Sequence, residues 1–136
     1  MFKYILYQDA DAIIFVYDIT NENSFKFIKN FLFEDTKENL VDEKPLYAVV
    51  AAKSDLNIYK RVSDDEGIEF ADKIGGIFQI TSASFDFGIS RLFENIWKTI
   101  IKPGYDYKAE DKKAQEEYIK KKIQCNNLPL SKYLNL

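Results

Sequence analysis

The chain has 136 residues, 46% of them hydrophobic and 15% aromatic, which allows one compact domain with a substantial core and leaves little room for a second. Its 19 basic and 22 acidic residues are mixed along the length for a net charge of -3, so neither a basic surface nor a nucleic-acid partner is expected. Histidine is absent, which excludes histidine general bases, Ser-His-Asp and Cys-His nucleophiles, and histidine-containing zinc sites.

Met1 to Tyr7 is apolar but too short for the hydrophobic region of a signal peptide, and Asp9 and Asp11 follow it directly. No apolar run approaches the roughly 18 residues of a membrane span. The single cysteine, Cys125, cannot form an internal disulfide and fits a reducing compartment. A soluble cytoplasmic protein with no direct membrane anchor is the expectation, peripheral to membranes only through partners.

The first element is Ala12 to Ile19, a continuous β-branched and aromatic run typical of a strand buried on both faces of a parallel sheet. Asn21 to Ser24 offers capping groups, and Phe25, Ile28, Phe31 and Leu32 recur at helical spacing up to the polar stretch Asp35 to Asn39. Leu46 to Ala52 is a second buried strand, bounded by Pro45 and by a charged loop at Lys53-Ser54-Asp55. Ser63-Asp64-Asp65-Glu66 spells a capping box for a helix whose stripe is Ile68, Ala71 and Ile74 and whose left-handed stop is Gly75. Gly76 to Thr81 predicts a third strand, and after Gly88 the residues Ile89, Leu92, Phe93, Ile96, Trp97 and Ile100 keep a helical period.

Strands alternating with helices imply an α/β fold with a short parallel sheet of roughly three strands and right-handed crossovers. In such sheets, ligand loops lie at the carboxyl ends of the strands. The domain spans residues 1–102. Residues 103–136 form a charged tail in which Glu116 to Lys120 and Glu117 to Lys121 at i,i+4 spacing support a solvated helix.

Those loops carry the sharpest motifs: Ala52-Lys53-Ser54-Asp55-Leu56 after the second strand and Ser82-Ala83-Ser84 after the third. Here the sequence resembles the small GTPases of the Rab and Ras type, whose corresponding boxes, Asn-Lys-x-Asp-Leu and Ser-Ala-Lys, hold the guanine base. Ala10-Asp11-Ala12-Ile13-Ile14-Phe15-Val16-Tyr17-Asp18-Ile19-Thr20, Asn23-Ser24-Phe25, Arg61-Val62-Ser63 and Glu66-Gly67 extend the likeness from about Tyr7 to Ile100, in the family's order. The resemblance implies the carboxyl-terminal part of a Ras-like, P-loop NTPase-type three-layer domain, guanine-nucleotide binding, and a role in GTP-regulated vesicle trafficking or signalling through protein regulators and effectors.

By that resemblance Lys53 lays its stem along the purine. Asp55 accepts both the N1–H and the exocyclic amine of guanine, a bidentate pattern that adenine cannot offer. Ser82 and Ala83 complete the guanine site, with the Ala83 N–H donating to the base carbonyl. Two positions depart from the family: Ala52 stands in place of the box's Asn and Ser84 in place of its Lys.

A phosphate cradle of the form G-x-x-x-x-G-K-S/T is not spelled by the five glycines. The switch threonine that ligands Mg²⁺ and the D-x-x-G box are likewise absent from their expected place, because the chain begins about where the family's second switch helix ends. No catalytic residue and no Mg²⁺ ligand is therefore assigned, and GTP or GDP is expected to bind weakly. Asp64-Asp65-Glu66-Gly67 and Asp72-Lys73-Ile74-Gly75 match D-x-x-G but read as helix cap and helix stop. Asp86-Phe87-Gly88 spells the kinase D-F-G without its companion motifs and reads as the start of a helix. Cys125 does not sit in a terminal lipidation motif.

In the family the corresponding strand pairs on its far side with the strand leading into the phosphate loop, which this sequence does not spell, so the apolar edge predicts marginal stability, self-association, or coverage by Met1 to Tyr7. The alternative function is a pseudo-GTPase interaction module that binds no nucleotide. An unrelated flavodoxin-like enzyme is a more distant reading, with no cofactor fingerprint to support it.

Overall fold

The computed structural model describes residues 7–40 and 44–113. The chain divides into two compact units, Met1–Pro103 and Gly104–Leu136.

In the first unit the three β-branched runs form a parallel sheet in the order β1-β2-β3, with β1 at Ala12–Asp18, β2 at Leu46–Ala52 and β3 at Ile77–Ile80. The register pairs Phe15 with Val49 and Asp18 with Ala52, and Val49 in turn with Phe78. Parallel partners point to the same face. Phe15, Val49 and Phe78 therefore share one side with Tyr17 and Ala51, while Ala48, Val50 and Ile77 share the other. The register also brings the carboxyl ends of all three strands to one edge.

The main core lies on the first of these faces. Phe15, Tyr17, Ile19, Val49 and Ala51 pack there against Phe25, Ile28, Val62, Phe70 and Ala71. The helices that supply the covering residues are α1 (Glu22–Phe27), α2 (Phe33–Asn39) and α3 (Asp64–Lys73). The Phe25 ring centroid stands 4.7 Å from that of Tyr17 and meets Phe70 edge-on at 6.0 Å, the arrangement that aromatic quadrupoles favour. Asn21 caps α1 by accepting from the Ser24 N–H. Ser63 and Glu66 form the expected capping box on α3, and Gly75 takes the left-handed conformation after it at φ 69°.

Between α1 and α2 runs a π-helical segment, Ile28–Leu32. The helix does not end at the polar stretch as expected but continues to Asn39. The wider turn rotates the following residues, so Phe25 and Ile28 are buried whereas Phe31 is half exposed, and Thr36 is buried in the next stripe. Phe31 thus leaves the predicted apolar face.

One further expectation is corrected on α3. Ile68 is exposed, and the buried positions are Gly67, Phe70 and Ala71. The cause is a close approach: a Cβ at Gly67 would stand 2.5 Å from both Tyr17 Oη and Phe78 Cε2, so the helix presents its glycine, rather than Ile68, to the sheet. The strands also differ slightly from the predicted bounds, β1 ending at Asp18 and β3 covering only Ile77–Ile80.

α4 (Ile89–Ile101) packs against β2 and β3 and buries Leu92, Asn95 and Ile96. Phe93, Trp97 and Ile100, which share the predicted helical period, are exposed, Trp97 by 62%. Val16 on β1 is also exposed, by 57%.

In the second unit residues 107–113 are helical. Asp106 caps them by accepting from the N–H groups of Lys108 and Ala109. The Glu116–Lys120 and Glu117–Lys121 pairs and Cys125 lie outside the described residues.

Candidate guanine-base site

Two loops meet at the carboxyl edge of the sheet. After β2 the chain turns at Lys53, whose backbone is left-handed at φ 64° and ψ 38°, and enters a 3-10 helix at Ser54–Tyr59. This short helix occupies what the sequence suggested was only a charged loop. After β3, Ser82 exchanges two backbone hydrogen bonds with Phe87, both at 2.9 Å, which closes a tight loop over Ala83 to Asp86. Gly88 ends that loop at φ 77°, where a Cβ would stand 2.1 Å from the Ile80 carbonyl oxygen. The D-F-G look-alike is therefore a turn leading into α4.

The two loops are tied together. The Ser54 N–H donates to the Thr81 carbonyl at 3.0 Å. Ser82, 1% exposed, donates its hydroxyl to Asp55 Oδ1 at 2.7 Å and accepts from the Phe85 N–H at 3.3 Å. Asp55 and Ser82 are thus brought into direct contact. One carboxylate oxygen of Asp55 is engaged by Ser82; Oδ2 has no protein partner among the described residues. Ala83 and Ser84 are exposed, and their N–H groups point to no acceptor among the described residues.

Lys53 is drawn elsewhere. Its ammonium stands 2.6 Å from Asp18 Oδ2, at the end of β1. Asp18 Oδ1 accepts from both the N–H and the hydroxyl of Thr20, at 2.9 and 2.7 Å. Burial alone would raise the Asp18 carboxyl, but the Lys53 and Thr20 hydrogen bonds hold it below the usual aspartate value. The same hydrogen bond, with the charges of Asp18 and Asp55, raises the Lys53 ammonium. Sequence reasoning assigned no role to Asp18; its signal was a lone acid closing an otherwise apolar strand.

Ala52, half-buried at the end of β2, carries only a methyl group toward this edge. Two concavities of the unit lie elsewhere, one lined by Asp11, Leu46 and Ile100, the other by Lys29, Phe33 and Phe70. The loop edge lines neither of these two concavities.

Chemically, the loop edge offers a carboxylate oxygen and main-chain donors without a protein partner among the described residues, beside an aliphatic lysine stem. Among the described residues there is no group of three or more His, Cys, Asp or Glu side chains that could hold a metal ion.

A family model described as the Ras family matches residues 1–102. Among curated proteins, the Ras-related protein Rab-21 of Homo sapiens is 35% identical over 97 residues, covering 71% of this chain and 42% of that protein. Rab-21 of Geodia cydonium is 33% identical over 97 residues, with shares of 71% and 42%. The Ras-like protein rasU of Dictyostelium discoideum is 29% identical over 126 residues, or 93% of this chain and 54% of that protein. The chain spans about half the length of the curated relatives it matches.

Proposed function

The chain belongs to the Ras family of small GTPases, of the Rab/Ras type, and from that premise we propose that its loop edge reads the guanine base of GTP or GDP. Its α/β architecture is part of the Ras-like P-loop fold. The observation that carries the reading is the contact between Ser82 and Asp55, which fixes one oxygen of the carboxylate and leaves the other for the base.

In this reading Asp55 accepts the N1–H and the exocyclic amine of guanine. The Ala83 N–H donates to the base carbonyl, and Lys53 supplies its stem. A bidentate pair contributes about 1–3 kcal/mol of discrimination, and a millimolar Kd corresponds to only about 4 kcal/mol. The described residues supply base contacts without phosphate or Mg²⁺ contacts, so in this reading the chain binds guanine nucleotides at millimolar strength and does not hydrolyse GTP unaided. Ala52 and Ser84, in place of the family's Asn and Lys, weaken the site further. We assign to the chain, on family membership, a role in GTP-regulated trafficking or signalling at the cytoplasmic side of membranes, reached through protein partners. Among the described residues no helix is long and apolar enough to cross a membrane.

Titration of the labelled chain with GDP, followed by amide chemical shifts, tests the reading. The expected result is saturable movement of the Lys53, Asp55 and Ala83 signals, with ADP weaker by about tenfold or more. Asp55→Asn replaces the acceptor of two donors by an amide and should remove the guanine preference without changing the dispersion of the spectrum. Equal responses to GDP and ADP, or no response at either loop, overturn the assignment. The second outcome is what a nucleotide-free interaction module would give.

A further inference from the structure

The base loops are secured at three strand ends, yet β2 contributes nothing polar of its own at its last position. Asp18 and Ala52 are register partners, and Ala52 has only a methyl group there. The main-chain bond from the Ile19 N–H to the Ala52 carbonyl, 3.2 Å, joins β1 to β2 at this edge, and the Lys53 ammonium reaches back to Asp18 Oδ2 at 2.6 Å. Lys53 itself holds a left-handed backbone, φ 64°, which side chains with a Cβ adopt only when the surroundings impose it.

We propose that Asp18 is a positioning residue for Lys53: its carboxylate anchors the lysine from the end of β1, fixing both the left-handed turn and a stem stretched between the ends of β1 and β2. The proposal rests on the base-site reading above and adds to it a residue outside both base loops.

Three observations support the assignment. Asp18 is itself held, since Thr20 engages its other oxygen through two hydrogen bonds and the Ser24 hydroxyl accepts from its N–H at 3.1 Å. It is therefore a fixed point to which Lys53 can be tied, not a second mobile side chain. The Lys53 side chain is 58% exposed, and its one ion pair among the described residues is this contact, which restrains a long stem with many accessible rotamers. Finally, Asp55 is secured independently by Ser82, which leaves Lys53 as the member of the site that depends on Asp18.

The test uses the full chain and two readouts. The first is the pH titration of the Lys53 side-chain NMR signals. In the wild type the Lys53 ammonium titrates above the ordinary lysine value; in Asp18→Asn it falls back toward that value, and Asp18→Glu restores part of the difference. The second is GDP affinity by chemical-shift titration, expected to fall three- to tenfold in Asp18→Asn with an unchanged thermal midpoint. In a cycle with Lys53→Gln, Asp18→Asn adds no further loss. If Asp18→Asn fails to fold, Thr20→Val removes only the hydroxyl that orients Asp18 and should move both readouts the same way by a smaller amount.

A Lys53 titration unmoved by Asp18→Asn, an additive cycle, or GDP affinity equal to or better than wild type overturns the proposal while the base site stands. No GDP response from the wild-type chain overturns the base site and the positioning role together.

Discussion

Tyr17 illustrates how tightly the main face is assembled. Its ring is 1% exposed, packed on Phe25 and under Gly67, and its hydroxyl is buried with no hydrogen-bond partner among the described residues. A buried polar group left unpaired costs about 1–3 kcal/mol. Tyr17→Phe should therefore raise the urea midpoint at neutral pH, by up to about 1 kcal/mol of stability. Burial first, then the charges of Asp64 and Glu66, push the Tyr17 hydroxyl above its ordinary value. Such a shift contributes stability that is complete below about pH 10, the unfolded tyrosine value, and is lost as the pH rises beyond it. The variant should lose less stability than the wild type in that alkaline window. A lower midpoint for Tyr17→Phe would show that the hydroxyl has a partner that stabilises the fold.

At the level of elements, α3 is secured by its cap. The Ser63 N–H donates to Glu66 Oε2 at 2.8 Å and the Glu66 N–H donates back to the Ser63 hydroxyl. The bonds from the Ser63 N–H and then its hydroxyl lower the Glu66 carboxyl, so their contribution is present above about pH 4.3 and fades as the pH falls through the lowered value. Ser63→Ala should cost about 1 kcal/mol, or about 4–8 °C in Tm for a unit of this size, with the gap from wild type narrowing in acid. An equal Tm at neutral pH would count against the cap. This cap was legible in the sequence because its four residues are contiguous, and β2 was legible to its exact bounds because Pro45 and Lys53 punctuate it. The π-helical turn at Ile28–Leu32 was not, since one extra residue per turn leaves composition untouched while rotating Phe31 outward. Nor was the exposure of Phe93 and Trp97, because a helical period marks an apolar face without saying how much of it a three-stranded sheet can cover. The Lys53–Asp18 contact joins residues 35 positions apart across a parallel register, which no local pattern spells, whereas the two loops that carry the family likeness meet through the Ser82–Asp55 hydrogen bond.

For the molecule as a whole, the far edge of β1 is where association of the chain can be tested. Among the described residues it pairs with β2 alone and forms one edge of the sheet. Its interior, Ala12 to Tyr17, carries no charge, and Val16 is 57% exposed. Unguarded apolar edges pair with other strands, and natural proteins block them with lysine or proline. Two copies related by a twofold axis through Phe15 would set Ile14 opposite Val16 and Ala12 opposite Asp18, so that no like charges face each other and the contact is self-complementary. The 136-residue chain should accordingly be a concentration-dependent dimer by sedimentation velocity. Val16→Lys places a charge on the exposed face of that edge, where burial is not lost, and should shift the population to monomer with little change in Tm. A wild-type chain that sediments as a monomer at about 100 μM, far above the micromolar Kd of a weak specific complex, would mean that this edge is already covered.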